Sequence, residues 1–447
     1  MLKNVISGLL SKRSGSDFKK QYAEIKSAVT EDKLVTFQEK HGQKLLSHAY
    51  YNVPYYHSIF DEIGIINNGE ADLSKFVEIP ILTKEIIRQH REELVSKDYT
   101  SRKWYYNSSG GSTGEPIRFI QDDVYGKWGN AAFSYWYKDI LDIDEPSVKK
   151  VILWTSERDL FQGSIGWKAK IINWLTNTVF LNCFRITKQD MERYVNIINS
   201  YKPELIRGFA SSLYELCQYA ESKNVKIHTP RFVVSSAAML SDEMREKIEK
   251  VFGTKVCNFY GSREANNLAG ECREGLMHVL AFHNCIEVLN SLNHPVKEGE
   301  EGKVIVTNLH NYSMPFIRYD IGDMAVLGPS RCKCGNPLPT LKKISGRVSD
   351  HFIKEDQTII HGEYFTHLFY LKDWIKAFQV IQEDYQRVRI LVVLRDEGRV
   401  NESEKNEIDD KIKLVMGQDC QVLWDFVDEI PKTPQGKYLY TKSLVQR

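Results

Sequence analysis

Five short stretches carry residue types that could grip and polarise a polyanion. The first, Ser108 to Pro116, reads SSGGSTGEP. Its glycines let the backbone take positive φ and come close to a polyanion, and its hydroxyls add donors to the exposed amides, so it has the chemistry of a phosphate cradle. It is not a Walker A loop, because Glu115, rather than a Lys-Ser or Lys-Thr pair, follows its last glycine. The nonapeptide alone fits a solvated Ser/Gly turn equally well.

The other four are distributed along the chain. Tyr260-Gly261-Ser262-Arg263-Glu264 offers an aromatic face for a base and a carboxylate for Mg²⁺; the plainer alternative is a tight turn with a surface ion pair. In Arg318 to Asp323, RYDIGD, the reading is a strand ending at Gly322-Asp323, with the aspartate free to accept both hydroxyls of a ribose or merely to cap a turn. Ser345 to Asp350, SGRVSD, holds Arg347, which could reach ribose or phosphate, and Ser349, which could absorb a hinge rotation; it also fits a plain linker. Pro431 to Tyr440, PKTPQGKYLY, is a stiffened turn carrying Lys437, a mobile positive charge or ordinary surface decoration.

Elements able to position these residues are readable around them. From about Asp17 to Val95 apolar residues recur at helical spacing, predicting a helical layer, with Thr83 as an N-cap and Lys84 as a solvated first-turn lysine. After the glycine loop, Arg118 to Gln121 reads as a strand and Asp122 to Leu141 as an aromatic-rich helix. Strands and helices then alternate: VKKVILWTS, MERYVNIINSYKP, ELIRGFA, SLYELCQYAESKNV, RFVVSSAA, SDEMREKIEKVFG and KVCNFYGS. This alternation predicts an α/β fold with helix-covered, mostly parallel sheets and binding residues at the carboxyl ends of the strands. From His278 strands and turns take over, and beyond Gly346 a β-β-α-β pattern predicts a small α+β domain. The expected domains are therefore 1–348, with a helical layer at 1–95 and a β-rich part at 278–345, and 349–447.

The totals are consistent with this division. At 447 residues the chain exceeds one ordinary core. Its 60 basic against 59 acidic side chains give no reason to expect nucleic acid or an anionic membrane as partner. No window is apolar enough for a transmembrane helix, and the start, MLKNVISGLLSKRSGS, lacks the charge order and cleavage site of a secretory signal. Eight cysteines in so long a chain do not form a disulfide framework, which favours a reducing, cytoplasmic compartment.

Taken in order, the five stretches resemble the motifs of the adenylate-forming acid ligases, and within them the phenylacetate-coenzyme A ligase branch that includes CapK-like capsular-polysaccharide proteins. That branch has the pattern S-S-G-T-T-G-K-P, Y-G-x-x-E, R-Y-x-x-x-D, G-R-x-D-D and P-[KR]-x-x-x-G-K, and the likeness runs from about Ile79 to Lys437. Here Gly111 replaces the loop's first threonine, Glu115 its lysine, and Ser349 an acidic hinge residue.

The resemblance implies ATP-dependent activation of a carboxylic acid as acyl-AMP, with pyrophosphate release and Mg²⁺, then transfer to a thiol, amine or hydroxyl acceptor. Coenzyme A or a surface glycan are the candidate acceptors. It implies that Ser109, Gly110, Ser112, Thr113 and Gly114 hold phosphates, that Tyr260 and Gly261 lie against adenine, and that Glu264 binds Mg²⁺. Asp323 and Arg347 would contact ribose, and Lys437 would bridge the reacting oxygens before withdrawing about Ser349. The acid would lie near Gly208, Ser236, Ala237 and Asn266, a polar lining suited to a small hydroxy or amino acid. A nucleotide-binding module without catalysis is the rival class, motivated by Gly111 and Glu115.

A metal set stands beside these motifs. Cys332 and Cys334 form a C-x-C turn, and Cys272 and His278 lie 60 residues upstream at C-x5-H spacing. Three thiolates and an imidazole complete a tetrahedral, closed and therefore structural zinc site; free, unligated cysteines are the alternative. Cys183, Cys217, Cys257, Cys285 and Cys420 read as small apolar residues, and His283, His310, His351 and His361 have no evident partner.

Overall fold

The computed structural model describes residues 18–30, 33–109, 117–154, 167–183, 185–236, 240–345, 352–356, 358–360, 362–369, 372, 374–395, 399–430 and 439–445. The chain opens with helices α1 (Lys19–Thr30), α2 (Leu34–Asn52) and α3 (Pro54–Ile63), the short pair β1 (Ile66–Asn67) and β2 (Glu70–Ala71), and helix α4 (Lys84–Gln89). A hairpin of β3 (Trp104–Ser108) and β4 (Arg118–Asp122) leads into helix α5 (Asp123–Tyr135). Then come β5 (Lys150–Trp154), α6 (Trp167–Leu175), β6 (Thr178–Asn182), β7 (Arg185–Ile186), α7 (Lys188–Tyr201), β8 (Leu205–Phe209), α8 (Ala210–Ser222), β9 (Phe232–Ser236) and α9 (Asp242–Phe252). Strands follow: β10 (Val256–Ser262), β11 (Asn266–Glu271), β12 (Met277–Val279), β13 (Asn284–Leu289), β14 (Glu301–Asn308), β15 (Tyr319–Leu327) and β16 (Thr340–Ser345). The chain ends with β17 (Phe352–Ile353), β18 (Ile359–Ile360), α10 (Gly362–Leu368), β19 (Ile375–Asp384), β20 (Arg387–Leu394), α11 (Glu402–Met416), β21 (Gln421–Phe426) and β22 (Thr441–Ser443).

Two compact units result. The first takes described residues within Met1–Asn107, Ile117–Glu145 and Cys257–Gly346. Its strands run β13-β14-β15-β16-β12-β11-β10, each pair antiparallel. The antiparallel run thus begins at β10, ahead of the change of pattern read at His278. Leu45, Leu46, Ala49, Tyr56 and Phe60 of the helical layer share one apolar core with Val304, Val306 and Tyr319 of the strands. Tyr56, wholly buried, satisfies its hydroxyl twice, donating to the Pro315 carbonyl at 3.1 Å and accepting from Ile317 N–H at 3.1 Å.

Thr83 caps α4 as expected, its hydroxyl accepting from Ile86 N–H at 3.3 Å. Lys84, expected in solvent, is instead only 4% exposed. Helical periodicity placed the residue at a first turn but could not show that the strands pack over that turn.

The second unit contains the parallel, helix-covered sheet, β9-β8-β5-β6. Ile152, Ile206, Val233 and their neighbours are buried along it, as strands covered on both faces must be. Its helices begin and stop where their termini say: Ser241 caps α9 by accepting from Met244 N–H at 3.2 Å, and Gly253 closes it in the left-handed region at φ +68°. Thr187 and Asp190 form a capping box on α7.

Within the same unit the C-terminal region builds a four-stranded sheet, β21-β20-β19-β22, with its own core of Phe352, Phe365, Phe378, Ile390, Ile408 and Ile412. β18 pairs with β7, giving the three-stranded sheet β17-β18-β7. Among the described residues no helix is long and apolar enough to cross a membrane.

Candidate functional site

The expected nucleotide residues of the first unit gather at one end of the β10–β11 hairpin. Backbone sterics make the corner tight: β10 carries a bulge at Tyr260/Gly261, and a Cβ on Gly261 would stand 2.5 Å from the Asn266 carbonyl oxygen, so only glycine fits. Ser262 Oγ accepts from Ala265 N–H at 2.9 Å, and Asn266 takes the left-handed conformation at φ 54° to return the chain into β11. This sets Tyr260 and Glu264 on one corner.

Asp323 arrives from β15. It lies inside that strand rather than at its end, Gly322 at φ +83° forming the irregularity that sequence reading took for a terminus. Asp323 Oδ2 accepts from the Tyr260 hydroxyl at 2.8 Å, joining residues 63 positions apart. Such a bond to a carboxylate fixes the ring's plane as well as the carboxylate's direction. Glu264, 4% exposed, is beside them, with Oε1 3.4 Å from the Tyr319 hydroxyl.

Sequence reasoning missed two residues that assemble the corner. Gln121 of β4 donates through Nε2 to the Arg263 carbonyl at 2.9 Å and the Glu264 carbonyl at 3.3 Å, while its Oε1 accepts from Tyr105 at 3.2 Å and Asn107 at 3.0 Å. A glutamine in the fully buried run Phe119 to Asp122 was the available signal, since buried amides require partners. Arg318, also at positive φ, is buried against Glu287 at 3.0 Å and donates to the Ile79 carbonyl at 2.7 Å. It braces the start of β15, and Tyr319 after it reaches Glu264.

Ser109 is buried at the end of the β3–β4 hairpin. Gly110, Gly111, Ser112, Thr113, Gly114 and Glu115 lie outside the described residues, as do Ala237, Arg347, Ser349 and Lys437. Gly208 and Ser236 are on adjacent parallel strands of the second unit, Gly208 opposite Ser235 and Phe209 opposite Ser236. Gly208 is tightly packed: a Cβ there would stand 3.0 Å from Leu153 Cβ, so its neighbours would have to shift. Asn266 turns its carboxamide onto α5, where a side chain on Gly129 would overlap it.

His283 and His310 are buried near that helix. His310 stacks on Trp128 at 3.9 Å and bonds the Phe282 carbonyl at 2.8 Å, whereas His283 stacks on Tyr125 at 4.7 Å with neither ring nitrogen partnered among the described residues. Burial lowers the His283 pKa to about 3, so the ring is neutral. His351 and His361 lie outside the described residues.

The thiol–imidazole set converges in the same unit. Ligand atoms of Cys272, His278, Cys332 and Cys334 all lie within 4.8 Å of one another. Cys272 Sγ is 3.6 Å from Cys332 Sγ, and Cys334 Sγ is 3.2 Å from His278 Nε2. Tetrahedral zinc with Zn–S near 2.3 Å sets S···S and S···N separations at about 3.6–3.8 Å, so the Cys272–Cys332 pair is at that spacing, the Cys334–His278 pair is closer than it, and the three thiols and one imidazole match the ion's donor preference. The other ring nitrogen, His278 Nδ1, is 3.4 Å from the Leu338 carbonyl, the orienting contact that a metal-bound imidazole commonly makes.

Comparison with known proteins follows the same lines. The CapK C-terminal domain model matches residues 352–443. The chain is 23% identical to protein CapK of Staphylococcus aureus, over 97% of this chain and 96% of that one. It is 24% identical to phenylacetate-coenzyme A ligase of Thermus thermophilus, over 89% and 86%, and 24% identical to that of Escherichia coli, over 88% and 86%. Among solved structures it resembles 2-hydroxyisobutyryl-CoA ligase in complex with 2-HIB-AMP and CoA. The open conformation gives a TM-score of 0.57 at 16% identity over 92% of both chains, and the thioesterification state 0.58 at 17% over 93% and 90%.

Proposed function

We propose that the chain, a CapK-like member of the adenylate-forming acid ligases, activates a carboxylic acid with ATP as acyl-AMP, releases pyrophosphate, and passes the acyl group to an acceptor. One observation carries the reading: the Tyr260–Asp323 hydrogen bond beside buried Glu264, on a corner to which Gln121 ties the hairpin flanking the glycine loop. A base face, a ribose-directed carboxylate and a metal-directed carboxylate meet there.

In this reading Tyr260 lies against adenine, Asp323 accepts from the ribose hydroxyls, and Glu264 holds Mg²⁺, whose charge neutralises the phosphates. Ser109, Gly110, Ser112, Thr113 and Gly114 hold the departing pyrophosphate, and Arg347 adds a ribose contact. Lys437 stabilises the charge shared by the attacking carboxylate and the α-phosphate. The adenylating domain is 1–348 and the lid 349–447, turning about Ser349; the family match at 352–443 supports that boundary. Gly208, Ser236, Ala237 and Asn266 serve the acid. Cys272, His278, Cys332 and Cys334 hold a structural Zn²⁺. Coenzyme A is the acceptor favoured by the ligase relatives; a glycan amine or hydroxyl is the alternative that the motif resemblance implies, and the compartment in this reading is the cytoplasm.

Acid-dependent ATP/pyrophosphate exchange over a broad panel of acids tests the reading. Exchange with small hydroxy or amino acids is expected. ATP binding by calorimetry without exchange for any acid would mark a nucleotide-binding module, and preference for aryl acids would overturn the polar pocket. Lys437→Ala should suppress exchange at least roughly a hundredfold while sparing ATP binding; equal loss of both would remove Lys437 from its role.

A further inference from the structure

The turn that carries Glu264 directs its carbonyls inward, and buried side-chain amides meet them there. Asn284, the first residue of β13, donates through Nδ2 to the Ala265 carbonyl at 2.8 Å and to the Asn267 carbonyl at 3.0 Å. Asn308, the last residue of β14, donates through Nδ2 to the Glu264 carbonyl at 3.0 Å. The two asparagines stand directly opposite each other in the β13–β14 ladder, and both are fully buried. Tyr125 of α5 orients the first by donating to Asn284 Oδ1 at 3.4 Å. With Gln121 on the Arg263 and Glu264 carbonyls, amides from β4, β13 and β14 hold the backbone at residues 263, 264, 265 and 267.

Stability alone does not account for this pair. Apolar side chains of similar shape serve a core at least as well as a half-satisfied amide, because a buried polar atom without a partner costs free energy. Asn308 is such an amide: its Oδ1 is buried with no partner among the described residues. Local costs of this kind are retained where a group serves function. The carbonyl that Asn308 holds belongs to Glu264, so what the clamp fixes is the backbone from which that side chain projects. A carboxylate's direction follows from its Cα–Cβ bond, and small displacements of a charged group weaken what it holds.

We infer that Asn284 and Asn308 are positioning residues that set the direction of the Glu264 carboxylate toward a nucleotide-bound divalent cation. The inference rests on the assignment of Glu264 to Mg²⁺.

Calorimetric titration of the full chain with ATP, with Mg²⁺ and without it, tests the inference in the absence of any acid. Wild type should bind ATP more tightly with Mg²⁺, and Glu264→Gln should lose that advantage. Asn308→Leu leaves the Glu264 carbonyl its bond from Gln121; it should weaken binding in Mg²⁺ roughly three- to tenfold and leave binding without the ion unchanged. Asn284→Ala should act by a similar factor. In the Glu264→Gln background neither substitution should weaken binding by more than about twofold, since a residue that acts through Glu264 has nothing left to aim. Melting temperatures near that of wild type certify folding, and either variant suffices. Equal weakening with and without Mg²⁺, or in both backgrounds, marks a merely structural role and overturns the inference; so does a Mg²⁺ advantage left intact in the asparagine variants. A wild type without that advantage, or an advantage that survives Glu264→Gln, removes Glu264 from the metal and the inference with it.

Discussion

The two polar constellations of the first unit stand at opposite ends of one strand. β11 starts at Asn266, two residues after Glu264, and stops at Glu271, just before Cys272. At the Cys272 end, four donors converge on one point and the imidazole's second nitrogen already meets a carbonyl. At the Glu264 end, side chains are paired with one another in a chain, Tyr260 to Asp323 and Tyr319 to Glu264. In the proposed reading a single ion would close the first arrangement, and the second would face a nucleotide. One sheet would then supply a staple and a work surface from the same hairpins.

The largest expected effect falls on the work surface alone. Glu264→Gln keeps the volume and the Tyr319 contact but removes the charge that would hold Mg²⁺. Exchange should drop by about 10²–10³-fold, with the melting temperature nearly unchanged. A loss of stability as large as the loss of rate would show Glu264 to be a structural carboxylate and erase the contrast.

Next comes the staple. Cys332→Ser, or prolonged chelation, should lower unfolding stability by about 2–3 kcal/mol, since loss of a structural metal is among the larger single perturbations. Elemental analysis should find one zinc per chain in wild type and less in the variant. Wild-type protein free of metal and indifferent to chelator would leave the thiols as ordinary unligated cysteines. A change in nucleotide KM without a change in stability would mean that the two ends of β11 are not separate devices.

Gln121→Ala probes the tie between the loop hairpin and the Glu264 corner. Two carbonyls lose a buried donor, which costs about 1–2 kcal/mol. KM for ATP should rise roughly tenfold while the zinc content stays constant; an unaltered KM would make Gln121 a packing residue only.

Legibility differed between the two ends for physical reasons. Thiols and an imidazole are so restricted in what they do together that Cys272, His278, Cys332 and Cys334 could be grouped across 60 residues by type alone. The corner needed ordered motifs, because Tyr260 and Asp323 are each commonplace and only the fold brings them to 2.8 Å. Periodicity and caps gave α9, bounded by Ser241 and Gly253, and the alternation around β5, β8 and β9 gave the parallel sheet. What periodicity cannot report is packing between distant elements, so it puts Lys84 in solvent and gives Gln121 no role. Gly322 read as a strand end because positive-φ glycine serves turns and bulges alike.

The smallest expected effect separates the members of the Tyr260–Asp323 pair. Tyr260→Phe keeps an aromatic face for the base but withdraws the hydroxyl that aims the carboxylate. A hydrogen bond to a charged group contributes about 1.5–3 kcal/mol, of which only the part that aims Asp323 reaches nucleotide binding, so KM for ATP should rise roughly two- to tenfold with kcat little changed. Asp323→Asn retains an oxygen for the tyrosine hydroxyl yet loses the charged acceptor for ribose, and should raise KM further than Tyr260→Phe does. If the two substitutions match, the hydrogen bond itself is what matters and Asp323 only orients the ring. If kcat falls with Tyr260→Phe as steeply as kcat/KM does, the hydroxyl acts on the reacting groups, and the corner is more than a holder of the nucleotide.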